Sequence, residues 1–189
     1  MLGGMQPDFE QITIRSVHAH EWREMRDLRL KALRDEATTI AFIDTFETAS
    51  ARPDEFWQQR AAAASLEAGA TSGARQFVAI TADGTWIGSV TVLIEHAGDN
   101  DFEGLPIGRS AGSVVGVYLD DAFRGRGTLQ SLFTTALDWV RERGIGRARL
   151  YVHVENLRAQ KAYEKAGFQR TGLTLDGSVG PELEMARDV

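Results

Sequence analysis

A basic, glycine-rich stretch in the second half of the chain has the residue types of an anion-binding turn. Arg124, Gly125, Arg126 and Gly127 lie between a nearly continuous apolar segment and a strongly periodic one, which predicts a strand, a turn and a helix. The start of a helix offers unpaired N–H groups and the positive end of the helix dipole. Glycines there let the backbone approach a ligand closely. The stretch therefore predicts an anion site that suits a pyrophosphate, with a plain helix N-cap loop as the alternative.

Two common nucleotide-binding motifs do not match this stretch. It does not end in Gly-Lys-Ser/Thr, which disfavours a P-loop NTPase. Gln130 stands where the dinucleotide-binding fingerprint requires its third glycine, which disfavours a Rossmann nucleotide site. The turn is therefore not expected to bind its anion as a P-loop or a Rossmann nucleotide site does.

A polar and aromatic pair marks a second candidate segment downstream. Asn156 ends a predicted strand and begins a predicted helix, and Tyr163 follows it along that helix. Their spacing is about two helical turns, so both side chains lie on nearly the same face. A structural role stays open for each, because Asn is a favoured N-cap and Tyr often anchors the packing of a helix.

Together the two segments resemble the motifs of the GNAT superfamily of acetyl-CoA-dependent N-acetyltransferases. Arg124-Gly125-Arg126-Gly127 after Val-x-Leu resembles the acetyl-CoA-binding motif Arg/Gln-x-x-Gly-x-Gly/Ala. Asn156-x-x-Ala159-x-x-x-Tyr163-x-x-x-Gly167-Phe168 resembles the downstream motif of the same family. The similar region covers about residues 113–168. Leu129 departs from the family pattern, which has a small residue at the end of the first motif, and its bulk could crowd a phosphate.

The resemblance implies where an acetyl-CoA molecule would lie. Residues 113–119 and 147–154 would be neighbouring parallel strands that splay apart and hold the pantetheine arm in the gap. The implied cofactor-binding residues form three groups: Val117, Tyr118 and Leu119 on the first strand; Arg124, Gly125, Arg126, Gly127, Thr128 and Leu129 around the pyrophosphate; and Asn156 at the pantetheine. Tyr163 would protonate the departing thiolate.

The implied reaction is direct attack of a neutral amine on the thioester of acetyl-CoA. It requires loss of an amine proton, polarisation of the carbonyl oxygen and departure of the thiolate. Backbone N–H groups on the splayed strand can polarise the carbonyl. No carboxylate lies in residues 110–119, so Glu95 at a predicted strand end is our first choice of general base. His96, Glu155 and His153 are the next choices of general base, and a water relay could replace all of them.

The acceptor is expected to be a small-molecule or peptide amine bound by the early helices and their connection. Residues 41–47 mix aromatic side chains with two acids, which suits a cationic amine, although a hydrophobic turn between helices explains them equally well. Amino acids, peptide N-termini, polyamines and aminoglycosides all stay open as acceptors. Two rival functions stay open as well: a non-catalytic CoA-binding or regulatory module, and an unrelated α/β protein that binds nucleotide phosphates.

The predicted strands and helices that must position these residues indicate one α/β domain over residues 1–189, with a loose tail at 1–9. The resemblance implies a GNAT-like α+β fold with a central, mostly antiparallel mixed sheet, one splayed parallel strand pair and about four flanking helices. Apolar periodicity predicts strands and helices in alternation. Predicted strands lie at about 12–17, 76–81, 85–95, 113–119, 147–154, 168–174 and 181–187. Predicted helices lie at 21–33, 53–68, 129–140 and 156–166. Residues 82–84 predict a tight hairpin turn, and Gly116 predicts a bulge.

Composition disfavours several other classes of protein. The net charge of −6 argues against a nucleic-acid partner. The chain has no cysteine and only four scattered histidines, so we expect no metal site. No apolar run is long enough to cross a bilayer, and we expect a cytoplasmic protein, with a homodimer open as its assembly. Four arginines between residues 141 and 149 are attributed to compensation of a helix dipole, with a phosphate contact as the alternative.

Overall fold

The computed structural model describes residues 11–35 and 43–189, so the predicted tail at residues 1–9 lies outside the described residues. The described strands run in chain order as β1 Thr13–Ser16, β2 Ala74–Ile80, β3 Trp86–Glu95, β4 Ala111–Leu119, β5 Arg147–His153, β6 Gln169–Gly177 and β7 Gly180–Asp188. The described α-helices are α1 Trp22–Ala32, α2 Phe46–Ser50, α3 Asp54–Ala64, α4 Thr128–Glu142 and α5 Leu157–Lys165. The predicted α/β class and all predicted elements are confirmed, and the short α2 adds one helix to the four expected.

The strands form one mixed sheet in the order β1-β2-β3-β4-β5-β7-β6. Every neighbouring pair is antiparallel except β4 and β5, which are parallel and joined by α4. Sequence analysis predicted the early hairpins and the central crossover, but it did not predict that β7 lies between β5 and β6. Because of this insertion, Glu182 on β7 pairs in register with His153 on β5.

The parallel strands β4 and β5 separate soon after they begin to pair. Their register contains only Gly112 with Ala148 and Ser113 with Arg149, although β4 continues to Leu119. Gly116, with a φ of 61°, lies where the pairing of β3 with β4 shifts register, which confirms the predicted bulge. The far half of β4 therefore has a strand partner on the β3 side only, which opens a gap towards β5.

Helices cover both faces of the sheet. The apolar stripe of α4 packs on one face, where Leu132, Phe133 and Val140 are fully buried. On the other face, α1 and α3 bury Trp22 and Trp57 in a separate cluster. Burying a large side chain of this kind contributes roughly 1.5–3 kcal/mol to stability. No helix among the described residues is long and apolar enough to cross a membrane.

The four arginines near the end of α4 have separate roles, so the attribution to one helix dipole was wrong for two of them. Arg141 pairs with a side chain one turn earlier on the helix, and Arg143 stacks on an aromatic ring. Arg147 and Arg149 belong to β5 and form ion pairs with the carboxylate of Glu184 on β7. They connect two strands of the sheet rather than neutralise a helix end.

Candidate active site

Two cavities meet at the gap between β4 and β5. The larger has a volume of about 660 Å³ and lies between the glycine-rich turn, the end of β4 and α5. The smaller has a volume of about 380 Å³ and reaches from α1 and α3 to β7. Val117, Asn156 and Tyr163 line both cavities. A molecule in one cavity can therefore contact a molecule in the other at these three residues.

The glycine-rich turn presents an anion site to the larger cavity. Gly125 and Gly127 have φ values of 76° and 86°, and a Cβ at either position would meet no atom within 4 Å. Within the described residues, the amides of Gly125, Gly127, Leu129 and Gln130 donate no hydrogen bond. These N–H groups lie at the start of the fifteen-residue helix α4, where the helix dipole is positive. An anion such as a pyrophosphate fits this turn.

The arginines of this turn do not play equal parts. The guanidinium of Arg124 donates through Nε to the carbonyl oxygen of Leu119 at 2.8 Å and pairs with the carboxylate of Asp35. Arg124 therefore fixes the turn to the end of β4. Arg126 and Thr128 are absent from the lining of the cavity, and the Thr128 side chain is buried. Both were expected to be cofactor-binding, and Thr128 can act there only through its backbone.

The other implied cofactor-binding residues lie around the larger cavity. It is lined by Val117, Tyr118, Leu119, Arg124, Gly125, Gly127, Leu129 and Asn156. The ring of Tyr118 is buried among Val17 and Leu28 beneath α1. Leu129 packs partly against the core on the other side of the sheet, so its side chain has an apolar contact of its own.

Helix α5 contributes both an anchor and basic side chains. The Oδ1 of Asn156 accepts a hydrogen bond from the amide of Ala159 at 3.1 Å, which makes Asn156 the N-cap. Its side-chain amide nitrogen keeps both N–H donors for a ligand. Sequence analysis missed the basic residues of α5 that line the larger cavity, which are Arg158, Lys161 and Lys165. Their spacing of three and four residues on one helix face was the available signal.

Tyr163 lies at the junction of the two cavities with its ring packed and its hydroxyl unbonded. The ring meets those of Phe133 and Phe168 at centroid distances of 5.8 Å and 6.5 Å. Within the described residues, no group forms a hydrogen bond with the Tyr163 hydroxyl. Burial raises the pKa of this phenol to about 12, against a smaller opposing effect of Arg158. The hydroxyl is therefore neutral near pH 7 and available as a donor.

Glu95, our first choice of base, lies away from the junction. Its two carboxylate oxygens accept hydrogen bonds from Nε and a terminal nitrogen of Arg149 at 2.7 Å and 2.8 Å. Glu95 pairs in register with Ala111 at the beginning of β4, whereas the junction lies near its end. It lines neither cavity. The structure thus gives Glu95 a place in a buried ion-pair network and brings it to no reacting group.

Glu182 is one of three carboxylates that line the smaller cavity, together with Asp44 and Glu103. It is only 8% exposed, and its Oε2 has no hydrogen-bond partner among the described residues. Burial and, to a smaller extent, the nearby carboxylate of Glu103 together raise the pKa of Glu182 to about 7. Glu103 is itself held by Ser178, which donates to it through its amide and its hydroxyl. Glu182 therefore has a pKa that suits a general base and a carboxylate oxygen that no donor of the described residues occupies.

The remaining candidate bases fit less well. His153 lines the smaller cavity, but its Nδ1 accepts the amide hydrogen of Glu155 at 3.1 Å. The neutral ring then carries its proton on Nε2, and its one ring lone pair, on Nδ1, already accepts this hydrogen bond. His96 and Glu155 are exposed and line neither cavity. Among Glu95, His96, His153, Glu155 and Glu182, Glu182 alone combines a place in the lining of the smaller cavity with an oxygen that accepts no hydrogen bond from the described residues.

The family model described as "Acetyltransferase (GNAT) family" matches residues 22–168 of the chain. This protein belongs to the GNAT family. The match covers the glycine-rich turn, the splayed strands and α5, and therefore all the elements that build the larger cavity. It confirms the resemblance inferred from the motifs. It also contradicts the alternative of an unrelated nucleotide-phosphate-binding protein.

Individual relatives match this chain only over part of their length. A mycothiol acetyltransferase of Cellulomonas flavigena is 33% identical over 105 residues, which cover 56% of this chain and 29% of that protein. An aminoglycoside N(6')-acetyltransferase type 1 of Stenotrophomonas maltophilia is 28% identical over 95 residues, which cover 50% of this chain and 60% of that protein. The chain thus matches less than two thirds of the length of either relative.

The fold also occurs in solved GNAT structures. The PaiA N-acetyltransferase of Thermoplasma acidophilum, solved in complex with coenzyme A, superposes with a TM-score of 0.70 at 18% identity. The alignment covers 95% of this chain and 99% of that one. At this identity the likeness establishes the GNAT fold, which confirms the predicted mixed sheet with its parallel strand pair.

Proposed function

We propose that this chain is an N-acetyltransferase that moves the acetyl group of acetyl-CoA to the primary amine of a small molecule or peptide. The observation that carries the proposal is the junction of the two cavities at Val117, Asn156 and Tyr163. A long anionic thioester suits the larger cavity, and an amine suits the smaller. The thioester carbonyl and the amine nitrogen then meet at the junction. Membership of the GNAT family supports the same chemistry.

The larger cavity suits coenzyme A in both charge and shape. The amides at the start of α4 are donors for a pyrophosphate. Lys161 and Lys165 on α5 add positive charge for a further phosphate. The gap between β4 and β5 is lined by Val117 and Leu119, which suits the apolar and amide parts of a pantetheine arm. The donors of Asn156 can bond to the carbonyl oxygens of that arm.

In the reaction that we propose, the lone pair of the neutral amine forms a bond to the thioester carbonyl carbon. The carbon–sulfur bond then breaks, and the sulfur leaves with the electron pair. The proton that the nitrogen loses passes to the carboxylate of Glu182. The products are the N-acetylated amine and the free thiol of CoA. Because the pKa of Glu182 is about 7, this carboxylate is partly ionised at neutral pH and still basic enough to accept the proton.

Tyr163 has a more limited role than full protonation of the thiolate. The pKa of its phenol is about 12 because of burial. The pKa of a thiol is about 8.5, so complete transfer from this phenol to a thiolate is uphill by roughly 5 kcal/mol. We therefore assign Tyr163 a hydrogen bond to the leaving sulfur that strengthens as negative charge develops there. The thiolate then takes its proton from solvent.

Release of free CoA thiol from acetyl-CoA in the presence of a panel of primary amines tests the proposal. We expect turnover with at least one amine, together with saturable calorimetric binding of CoA. CoA binding without thiol release from any amine would favour the non-catalytic CoA-binding module. Binding of ATP or NAD in preference to CoA would overturn the assignment of the larger cavity.

A further inference from the structure

A cationic wall forms the side of the smaller cavity opposite to Glu182. Arg29 on α1 and Arg60 on α3 line this cavity, and Asp44 lies beside them. Both helices pack near β2 and β3, whereas Glu182 and Glu103 belong to β7 and to the loop before β4. The lining of the cavity therefore carries two arginines and Asp44 on the side of the helices, and two further carboxylates on β7 and on the loop before β4.

The carboxylate of Asp44 does not neutralise all of the positive charge of this cationic wall. Its carboxylate lies 3.9 Å from a guanidinium nitrogen of Arg29 and 3.5 Å from one of Arg52. No carboxylate of the described residues lies within ion-pair distance of Arg60. Arg60 as a whole is exposed, but loss of hydration around its guanidinium lowers its pKa; Asp44 opposes this effect only in part, and the charge of Arg52 adds a smaller lowering. A guanidinium stays protonated even so, and its planar fork of donors matches the oxygens of a carboxylate or phosphate.

We propose that the acceptor carries an anionic group as well as its amine, and that Arg60, with Arg29 beside it, binds that group. This inference rests on the proposed acetyl transfer and names the substrate class of the same site. The anion at Arg60 directs the other end of the molecule towards the junction, where the amine meets the thioester and Glu182. A polyamine would place a second cation against the two arginines, which costs binding energy through like-charge repulsion. The acceptor class is therefore an amine with a carboxylate or phosphate.

Three matched series of amines test this inference on the full chain with saturating acetyl-CoA. They are n-alkylamines, ω-amino carboxylates and α,ω-diamines of the same graded chain lengths, and the readout is kcat/KM from thiol release. A charge-assisted hydrogen bond is worth enough for a preference of about 10–100-fold. We expect ω-amino carboxylates to exceed n-alkylamines by that factor and diamines to be poorest. ω-Amino phosphates of the same chain lengths show whether the site prefers a phosphate or a carboxylate.

Two variants of Arg60 and one matched control test whether Arg60 causes the preference for amino carboxylates. Arg60→Gln is expected to lower the ratio of kcat/KM for amino carboxylates over alkylamines by about tenfold. Arg60→Glu is expected to turn the preference towards diamines. Arg52→Gln is the control: it removes one positive charge from the same cluster, but Arg52 does not line the smaller cavity. The ratio is therefore expected to stay unchanged. Thermal unfolding of each variant identifies any that fails to fold.

The outcomes separate this inference from the proposed function. Turnover that is fastest with diamines, or a ratio that Arg60→Gln leaves unaltered, would overturn the anion site while acetyl transfer stands. If no amine releases thiol, acetyl transfer fails, and the anion site is then read from binding alone. In that case, calorimetric titration of ω-amino carboxylates into the CoA-bound protein is expected to show binding that Arg60→Gln weakens about tenfold. Equal binding to both proteins would overturn the anion site.

Discussion

The ring of Tyr163 meets the ring of Phe133 edge to face, with centroids 5.8 Å apart and planes at 85°. This contact fixes the ring of Tyr163 through packing, while its hydroxyl forms no hydrogen bond in the described part of the chain. The position of the ring and the chemistry of the hydroxyl can therefore be changed separately.

Tyr163→Phe is expected to lower kcat by ~10²-fold, the low end for a positioned acid, because a thiol leaves well without help. The dissociation constant of CoA and the melting temperature are expected to stay close to wild type, since the aromatic packing is kept. Tyr163→Leu serves as a control that also removes the ring contact and lowers the melting temperature. An unchanged kcat in Tyr163→Phe under conditions where chemistry limits the rate would reduce Tyr163 to a packing residue.

The pH dependence of wild-type activity follows from the same phenol. An ordinary phenol, with a pKa of ~10, would give a fall in activity near that pH. Burial raises the pKa of Tyr163 to about 12, so the phenol stays protonated and the fall moves to that pH. We expect activity to hold on a plateau through pH ~10. An alkaline fall centred near pH ~10 that Tyr163→Phe abolishes would contradict the buried environment.

Glu182→Gln is expected to lower kcat/KM by ~10²–10⁴-fold above neutral pH, because the amide cannot accept the amine proton. In wild type, activity is expected to rise as Glu182 ionises around its pKa of about 7, and this step is expected to vanish in the variant. Glu95→Gln is the control, since its carboxylate bonds to Arg149 and lines neither cavity. If Glu95→Gln removes the step and Glu182→Gln keeps it, the two assignments are reversed.

The raised pKa of Glu182 also predicts a stability effect of opposite sign to the effect on activity. The pKa is about 7 in the folded state against 4.5 ordinarily, so the folded state binds more protons between these values. Stability from this group is present below the lower pKa and is lost as pH rises through the higher one. Glu182→Gln should therefore be more stable than wild type above pH ~7, by on the order of 1–3 kcal/mol.

Chemical unfolding at two pH values measures this effect. The gain is expected to be near zero at pH ~4 and largest at pH ~8. Glu184→Gln, two residues along the same strand, provides a control of opposite sign. Glu184 pairs with Arg147 and Arg149, so its removal leaves buried charge unpaired and should destabilise the protein. A loss of stability in Glu182→Gln at pH ~8 would show that its carboxylate has a stabilising partner.

Gly127→Val is expected to weaken CoA binding more than Leu129→Ala does. The φ of 86° at Gly127 is a conformation that a β-branched residue adopts only with strain, although there is open space for the side chain. The N–H groups at the start of α4 should then move away from the phosphates. Leu129→Ala keeps the backbone and restores the small residue typical of the family, so its effect on the Kd of CoA should be small or favourable. Equal small effects in both variants would place the phosphates elsewhere.

Local sequence patterns were sufficient to predict the elements that hold the larger cavity. The apolar stripe around Leu132 and Phe133 predicted α4, and the two glycines predicted the turn before it, where both have positive φ values. Asn156 is confirmed as the N-cap of α5, although sequence analysis left this role open beside a contact with the cofactor. These features depend on residues within a few positions of one another, where helix periodicity and backbone sterics act directly.

The positions of the proposed base and of the proposed acceptor wall depend on tertiary structure alone. Glu95 and Arg149 lie 54 positions apart, and their pairing depends on how β3, β4 and β5 align. Glu182 reaches the smaller cavity because β7 inserts beside β5, and a register shift of one residue would turn its side chain to the other face. Arg60 joins that cavity through the packing of α3 on the sheet. Such positions follow from the summed packing of distant segments, so no local pattern in the sequence contains them.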